Sequence, residues 1–573
     1  MTDSDIFVGE HVMPTTSLTD RYAVSPQVTP PDVADLKAEG FRSIVSFRPD
    51  GEAPDQPNAA AVEAAAKAEG LAFIAIPVKA GTVPSDAQVL QAREALASLP
   101  APVVGYCRSG TRAAQIWALA EAGTRPASEI LADAARAGID LGGLKSRLDA
   151  VPAPTMAARE GARHFQVLVI GGGAGGLSAS ASLLKRNPAL ALGIVEPSEE
   201  HFYQPGWTLV GGGVFKASQT RRREQDLIPK GAVWLKTSVE LFRPEAREVV
   251  LKDGTVLSYD ALIVATGISL NWDAIPGLSE TLGKNGVTSN YRFDLAPYTW
   301  QLVEKLKGGK AIFTQPPMPI KCAGAPQKAM YLASDAWRRR GVLKNISVEF
   351  NTATPGLFGV KEFVPPLMDY VRDYGIALHL GSKLVEVNGP ARTAVFERKT
   401  DAGVERVEST FDMLHVVPPQ VSPKVVRESA IAGSDGFVEV NPETLQHVRY
   451  PQIFALGDVI GTSCAKTAAA VRVQAPVVAT NVLAFLQRKD PVSGYDGYGA
   501  CPLTVENGKI VLAEFAYGGK LAPTLPKWLL NGQKATRLAW WLKKYVMPAL
   551  YWKGMLKGHE LFVAPKSLKS GKK

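Results

Sequence analysis

Short apolar runs alternate with amphipathic stretches along most of the chain, and their spacing changes character near residue 163. Residues 41–47 (FRSIVSF) read as a strand closed by the turn Arg48-Pro49-Asp50-Gly51. Residues 59–69 read as a helix, 72–78 as a strand and 86–98 as a helix, with Pro84 and Ser85 just before its start. The apolar run 102–106 ends at Cys107 and enters the loop Cys107-Arg108-Ser109-Gly110-Thr111-Arg112, followed by a helix from about 113. Two short helices, 128–136 and 142–149, close a small α/β domain, and 151–161 is the best linker. The pattern then shifts to a fully apolar strand at 165–170, a helix at 177–186, a second strand at 191–195 and another at 261–264. Between the first strand and helix lies the run Gly171 to Gly176 (GGGAGG).

That context gives Gly171, Gly173 and Gly176 the meaning of a dinucleotide fingerprint. The first glycine permits a tight turn, the second a close approach to pyrophosphate, and the third close helix-to-strand contact. Glu196, twenty residues after Gly176, ends the second strand, where its carboxylate accepts from ribose hydroxyls. Ala265-Thr266-Gly267 resembles the second signature of flavoproteins and 453–458 (IFALGD) the third, so Thr266, Gly267 and Asp458 join the expected site and the dinucleotide is FAD rather than NAD.

Composition narrows the picture only in one place. The chain has 573 residues, 46% hydrophobic and 21% charged, and about two to four domains are expected. Of its net charge of +9, a disproportionate share sits from Lys520 onward, where twelve Lys or Arg face the single acid Glu560. There is no basic, apolar signal segment at the start and no uncharged run long enough to span a bilayer. Residues 536–557 (TRLAWWLKKYVMPALYWKGMLK) interleave Trp, Tyr and Leu with Lys and Arg, the composition of a helix lying in a membrane interface, and Pro548 is expected to split it in two. No nucleic-acid fold accompanies this basic tail, so no nucleic-acid partner is expected. The four cysteines, Cys107, Cys322, Cys464 and Cys501, form no disulfide scaffold, and no metal site is expected.

From about 163 to 565 the chain resembles the sulfide:quinone oxidoreductases. The resemblance rests on 201–210 (HFYQPGWTLV), 319–328 (PIKCAGAPQK), 466–470 (KTAAA), 495–498 (YDGY), 501–503 (CPL) and 551–558 (YWKGMLKG). It implies FAD-dependent oxidation of sulfide to sulfane sulfur with electrons passed to ubiquinone or a related quinone, and a small thiol or sulfur carrier as acceptor. It also implies a peripheral position, expected at the cytoplasmic face of a bacterial inner membrane; a homo-oligomer is compatible. Cys322 is expected to be one redox thiol. The family's cysteine directly after Gly-Asp is replaced here by Val459, so Cys464 is expected to be the partner, with Cys501 structural. Lys466 is expected to favour a flavin anion or thiolate, Glu362 to handle protons, and His201 either to sit near the active site or simply to pack.

Residues 9–115 resemble a phosphatase-like domain called beta-lactamase hydrolase-like. Cys107 and Arg112 are separated by four residues where cysteine phosphatases have five, which favours rhodanese-like sulfur transfer over hydrolysis; Asp50 would be the general acid if hydrolysis occurred. The expected fold class is therefore α/β. A three-layer cysteine-loop domain (1–150) and linker (151–163) precede two Rossmann-like domains of the disulfide-reductase type, FAD-binding at 164–270 and 391–505 around a second at 271–390. A membrane-docking region (506–573) follows. The competing readings are a type II NADH:quinone oxidoreductase and a non-catalytic flavoprotein scaffold for sulfur carriers.

Overall fold

In the computed structural model, which describes residues 13–122, 127–150, 163–401, 403–561, 563 and 565–568, two units divide at Ala157/Ala158. The expected linker lies almost entirely outside the described residues.

The N-terminal unit is built on a five-stranded sheet in the order Thr16–Thr19, Tyr22–Ser25, Val103–Tyr106, Ser43–Ser46, Ala72–Ala75. All neighbours are parallel except the first hairpin. Val103–Tyr106 is central and fully buried, so its end delivers Cys107 to the carboxyl edge of the sheet, where α/β folds place their ligands. The helices Ala59–Ala68, Asp86–Ser98 and Ala127–Arg136 lie where the periodicity places them. The hairpin at 16–25 and the helix Asp32–Ala38 were not legible, since four-residue strands carry too few alternations to stand out.

In the second unit the strand Arg163–Ile170 lies between Leu192–Val195 and Val256–Val264, all parallel. Ile453–Ala455 returns from far along the chain to pair with Val256–Val264, which makes the two expected FAD segments one domain. The helix Ala174–Arg186 covers this sheet together with Ala468–Leu486. The latter is the one described helix long and apolar enough to cross a membrane, yet it is a core helix.

A second parallel sheet has the order Val287–Thr288, Met413–His415, Gly309–Gln315, Ile346–Thr352, Ala377–Leu380. The boundary expected at 390 is displaced: Ser382–Asn388 pairs with Thr393–Thr400, and the second domain keeps the chain through Met413–His415. The boundary at 505/506 likewise cuts a hairpin, because Gly499–Glu506 pairs with Lys509–Phe515. Pro548 does not divide the tail. From Arg537 to Gly554 the chain stays helical, with π-type turns at Leu542–Val546 and Leu550–Gly554 on either side of Met547–Ala549. The wider π register absorbs a residue that has no N–H to donate.

Candidate functional site

The glycine loop has the shape its spacing predicts. Gly171 takes φ +105°, and a Cβ there would lie 2.5 Å from Ala265 O; at Gly176 it would lie 1.8 Å from Gly171 O. Gly173, by contrast, opens onto free space at the N-terminus of Ala174–Arg186, where unpaired N–H groups favour a pyrophosphate. Glu196 accepts the Gly172 N–H (2.7 Å) and the Ser198 N–H (2.8 Å), which fixes its carboxylate at the loop. The buried hydroxyls of Thr266 and Thr208 have no partner within the protein. Gly267 takes φ +74°, and Asp458 lies in the turn Gly457–Val459, its carboxyl pushed up by loss of solvent against the opposing pull of Lys321 and Lys466. A phosphate-ready helix end, a fixed ribose acceptor and orphaned hydroxyls are the donor set an adenine dinucleotide requires. Gly171, Gly173, Gly176, Glu196, Thr266, Gly267 and Asp458 are the residues that could hold such a group here.

The sulfur site is assembled from four distant parts of the sequence. Cys322 precedes the helix Ala325–Arg339 in a left-handed conformation (φ +50°), an uncommon state for a non-glycine residue. It is pinned on both sides: its N–H donates to Lys466 O (2.9 Å), and the buried Tyr291 hydroxyl donates to Lys321 O (2.8 Å). The sulfur it meets is Cys501 Sγ, at 3.8 Å, from the strand Gly499–Glu506. Lys328, 2% exposed, donates to Cys322 Sγ at 3.2 Å. The hydrogen bond from Cys501, and then the charge of Lys328, hold the Cys322 thiol well below the ordinary range, and the same hydrogen bond holds Cys501 above it. The Lys328 ammonium at 3.2 Å favours the thiolate on Cys322 rather than on Cys501.

Lys543 completes the surroundings. Expected to face lipid, it is 2% exposed and donates to Pro205 O (3.1 Å). Burial, together with the neighbouring Lys328, pushes its pKa down to about 7, while Cys322 and Cys501 oppose the shift.

Other expected residues land elsewhere. Cys464 is buried and receives hydrogen bonds from Thr462 Oγ1 (3.1 Å) and Gln474 Nε2 (3.5 Å); the pairing expected for it is taken by Cys501. The reason is tertiary, since the hairpin strand that carries Cys501 packs against the helix that follows Cys322. Lys466 spends its ammonium on Asp458 O (2.8 Å) and Ile460 O (2.9 Å), buttressing the flavin-site turn rather than reaching a thiol. Glu362 is exposed on the turn Lys361–Phe363, and it is Phe363 that packs into the cluster containing Cys501. Lys328, Lys543 and Tyr291 were given no role at this site from sequence; Lys328 lay within the run 319–328 and sits in the first turn of Ala325–Arg339.

The helix that follows Gly309–Gln315 in the second Rossmann-like sheet starts against a strand. A Cβ at Gly324, the residue capping Ala325–Arg339, would lie 2.4 Å from Cys501 Sγ and 2.4 Å from Leu503 Cδ2, so the strand Gly499–Glu506 packs closely on this helix start.

The pyridine nucleotide-disulphide oxidoreductase family matches residues 165–308. The mitochondrial sulfide:quinone oxidoreductase of Dictyostelium discoideum is 43% identical over 398 residues, covering 69% of this chain and 86% of that protein. The chain belongs to the sulfide:quinone oxidoreductases. The solved structure of the Aquifex aeolicus sulfide:quinone oxidoreductase shares the fold of this family member, with TM-score 0.59 and 19% identity over 72% of this chain and 98% of that one.

Ahead of its flavoprotein part, this oxidoreductase carries a second domain. The phosphatase-like domain of beta-lactamase hydrolase-like proteins matches residues 15–124, and the Xylella fastidiosa (strain Temecula1) protein of that name is 37% identical over 127 residues, 22% of this chain and 29% of that protein. In this domain Cys107 is buried, and its Sγ accepts the Gly110 N–H at 3.2 Å. Arg112 is engaged by Glu52 through both nitrogens at 2.8 Å, and by Val78 O. Asp50, the expected acid, caps the helix at 59–68 through the Ala59 N–H (2.8 Å); the carboxylate at the loop is Glu52.

Proposed function

We propose that this sulfide:quinone oxidoreductase oxidises hydrosulfide through the Cys322–Cys501 pair and releases sulfane sulfur to a small thiol. The observation that carries the reading is the 3.8 Å approach of two sulfurs with one lysine on Cys322. Hydrosulfide attacks the disulfide at Cys501, whose sulfur becomes a persulfide, and the Cys322 sulfur leaves as thiolate, stabilised by Lys328. A thiolate acceptor then takes the outer sulfur from Cys501 and leaves it reduced. The two cysteines release two electrons as their disulfide re-forms. Bound FAD supplies the two-electron acceptor, and quinone takes the electrons onward. Anaerobic quinone reduction with sulfide or NADH as the sole donor tests this: turnover with NADH alone would overturn it.

The C-terminal helical segment supports peripheral membrane docking through a smaller surface than its sequence implies. Tyr551, Met555 and Leu556 are buried, while Leu538, Trp541 (52% exposed) and Tyr545 (55% exposed) face out, with Lys544 against the Tyr545 ring. Replacing Trp541 and Tyr545 together by Ser is expected to weaken binding to liposomes about tenfold or more. The same variant is expected to retain sulfide-dependent reduction of a water-soluble, tail-less quinone; undiminished co-sedimentation would place the docking face elsewhere.

For the N-terminal domain, sulfane-sulfur transfer is the reading the loop favours. With both outer nitrogens of Arg112 committed to Glu52, the loop lacks the free guanidinium fork that a phosphate dianion requires. Cys107 thiolate would attack the outer sulfur of a small persulfide, the S–S bond would break, and the donor thiol would leave. Cys107→Ser is expected to remove persulfide-to-cyanide transfer, read as thiocyanate. Transfer unchanged in this variant, or an aryl phosphatase activity lost with it, would reject this assignment.

A further inference from the structure

A buried polar chain joins the dinucleotide loop to the C-terminal segment, and neither the sulfur chemistry nor membrane docking uses it. His201, on the strand Glu200–Phe202, is 4% exposed, with Nδ1 3.0 Å from Glu224 Oε2 and Nε2 2.7 Å from the Tyr551 hydroxyl. With Nδ1 protonated, the imidazole donates to the carboxylate and accepts from the phenol, so every proton in the chain is placed. Tyr551 is 5% exposed, lies tilted against Tyr203 at 4.8 Å between ring centres, and is followed by Trp552, whose ring lies edge-on to His201.

The other end of the chain is unfinished. Glu224 is 1% exposed, and its second oxygen, Oε1, has no hydrogen-bond partner in the protein. That oxygen would lie 2.5 Å from a Cβ placed on Gly172, between the first two fingerprint glycines, and the same Cβ would meet Glu196 Cγ at 2.6 Å. The ribose-binding carboxylate and this orphan oxygen therefore flank one glycine. A buried acceptor without a donor is destabilising, more so when it is charged, and a ligand hydroxyl that donates to it relieves that cost.

We infer that Glu224 is a second carboxylate of the adenosine site, accepting a ribose hydroxyl of FAD alongside Glu196, and that His201 and Tyr551 hold it there, tying FAD affinity to the seating of the C-terminal segment. Burial raises the Glu224 carboxyl, and His201 opposes that shift, so the histidine keeps the acceptor available. Beyond Tyr551 the segment grips the helix Ala174–Arg186 that the pyrophosphate meets: Glu560 accepts from Ser182 Oγ and from Arg186, and Lys185 donates to Gly558 O. Linkage is reciprocal, so bound FAD also protects the segment.

The test is titration of flavin-free full-length protein with FAD and with FAD analogues lacking the 2′ or the 3′ hydroxyl of the adenosine ribose. Glu224→Gln turns the free acceptor into a donor and is expected to bind FAD about tenfold or more weakly. Removing one of the two hydroxyls weakens the parent by a comparable factor but is expected to change the variant less than about twofold. Equal losses for FAD and both analogues, or no loss at all, would overturn the ribose assignment. Glu224→Asp, which keeps the charge but withdraws the oxygen, supplies the same comparison should the Gln variant not fold. Tyr551→Phe is expected to weaken FAD a few-fold, and the parent's 537–561 segment is expected to be cut faster by protease without FAD than with it; equal cleavage in both states would break the link to the tail.

Discussion

Cys501→Ser is expected to abolish sulfide-dependent quinone reduction, by about 10³-fold or more, while the protein still purifies with its flavin. Cys322→Ser should match it, because two residues that act as one unit fail together. Cys464→Ser is expected to stay within a few-fold of the parent, since the sulfur accepts from Thr462 and Gln474 and a hydroxyl in its place can keep both contacts. The visible flavin spectrum separates loss of chemistry from loss of cofactor. A Cys464→Ser enzyme as dead as Cys501→Ser would restore the pairing expected from sequence and reject the one argued from geometry.

Lys328→Met is expected to lower turnover about 10²-fold at neutral pH and to move the acid limb of the pH–rate profile upward. Lys328 is one of the groups that lower the Cys322 pKa, so its removal raises that pKa and leaves less thiolate at a given pH. Activity should accordingly recover as pH rises, which a simple loss of fold would not produce. Lys543 titrates from the opposite side. With its pKa near 7, it is cationic below that pH and neutral above it, so its help to the thiolate fades as pH rises through about 7. Lys543→Met should remove that inflection from the profile, and an unchanged inflection near 7 would assign it to another group.

The glycine loop was legible because it is local. Gly171, Gly173, Gly176 and Glu196 lie within 26 residues, where spacing alone fixes the tight turn and brings the Glu196 carboxylate to the Gly172 N–H. Thr266 and Asp458 were legible for a related reason, as each follows a fully buried strand whose pairing in one sheet fixes where its end lies.

The cysteine pairing was not legible. Cys464 is closer to the flavin signature in sequence, but the register of Gly499–Glu506 against the helix Ala325–Arg339 decides which thiol reaches Cys322, and that register belongs to packing between segments some 180 residues apart. Lys543 was read as lipid-facing since periodicity reports an apolar face and not what covers the polar one; the fold turns that side chain toward Pro205 and the sulfur pair. Glu224 carried no signal, lying in the charged run 221–226 that reads as solvated surface. The sequence by itself therefore determined the α/β class, the glycine fingerprint and the two-domain organisation, which periodicity and spacing along the chain carry. Only the tertiary structure decided the second thiol, the buried lysines and the Glu224–His201–Tyr551 chain, because each depends on side chains brought together by long-range packing, whose partners no local pattern encodes.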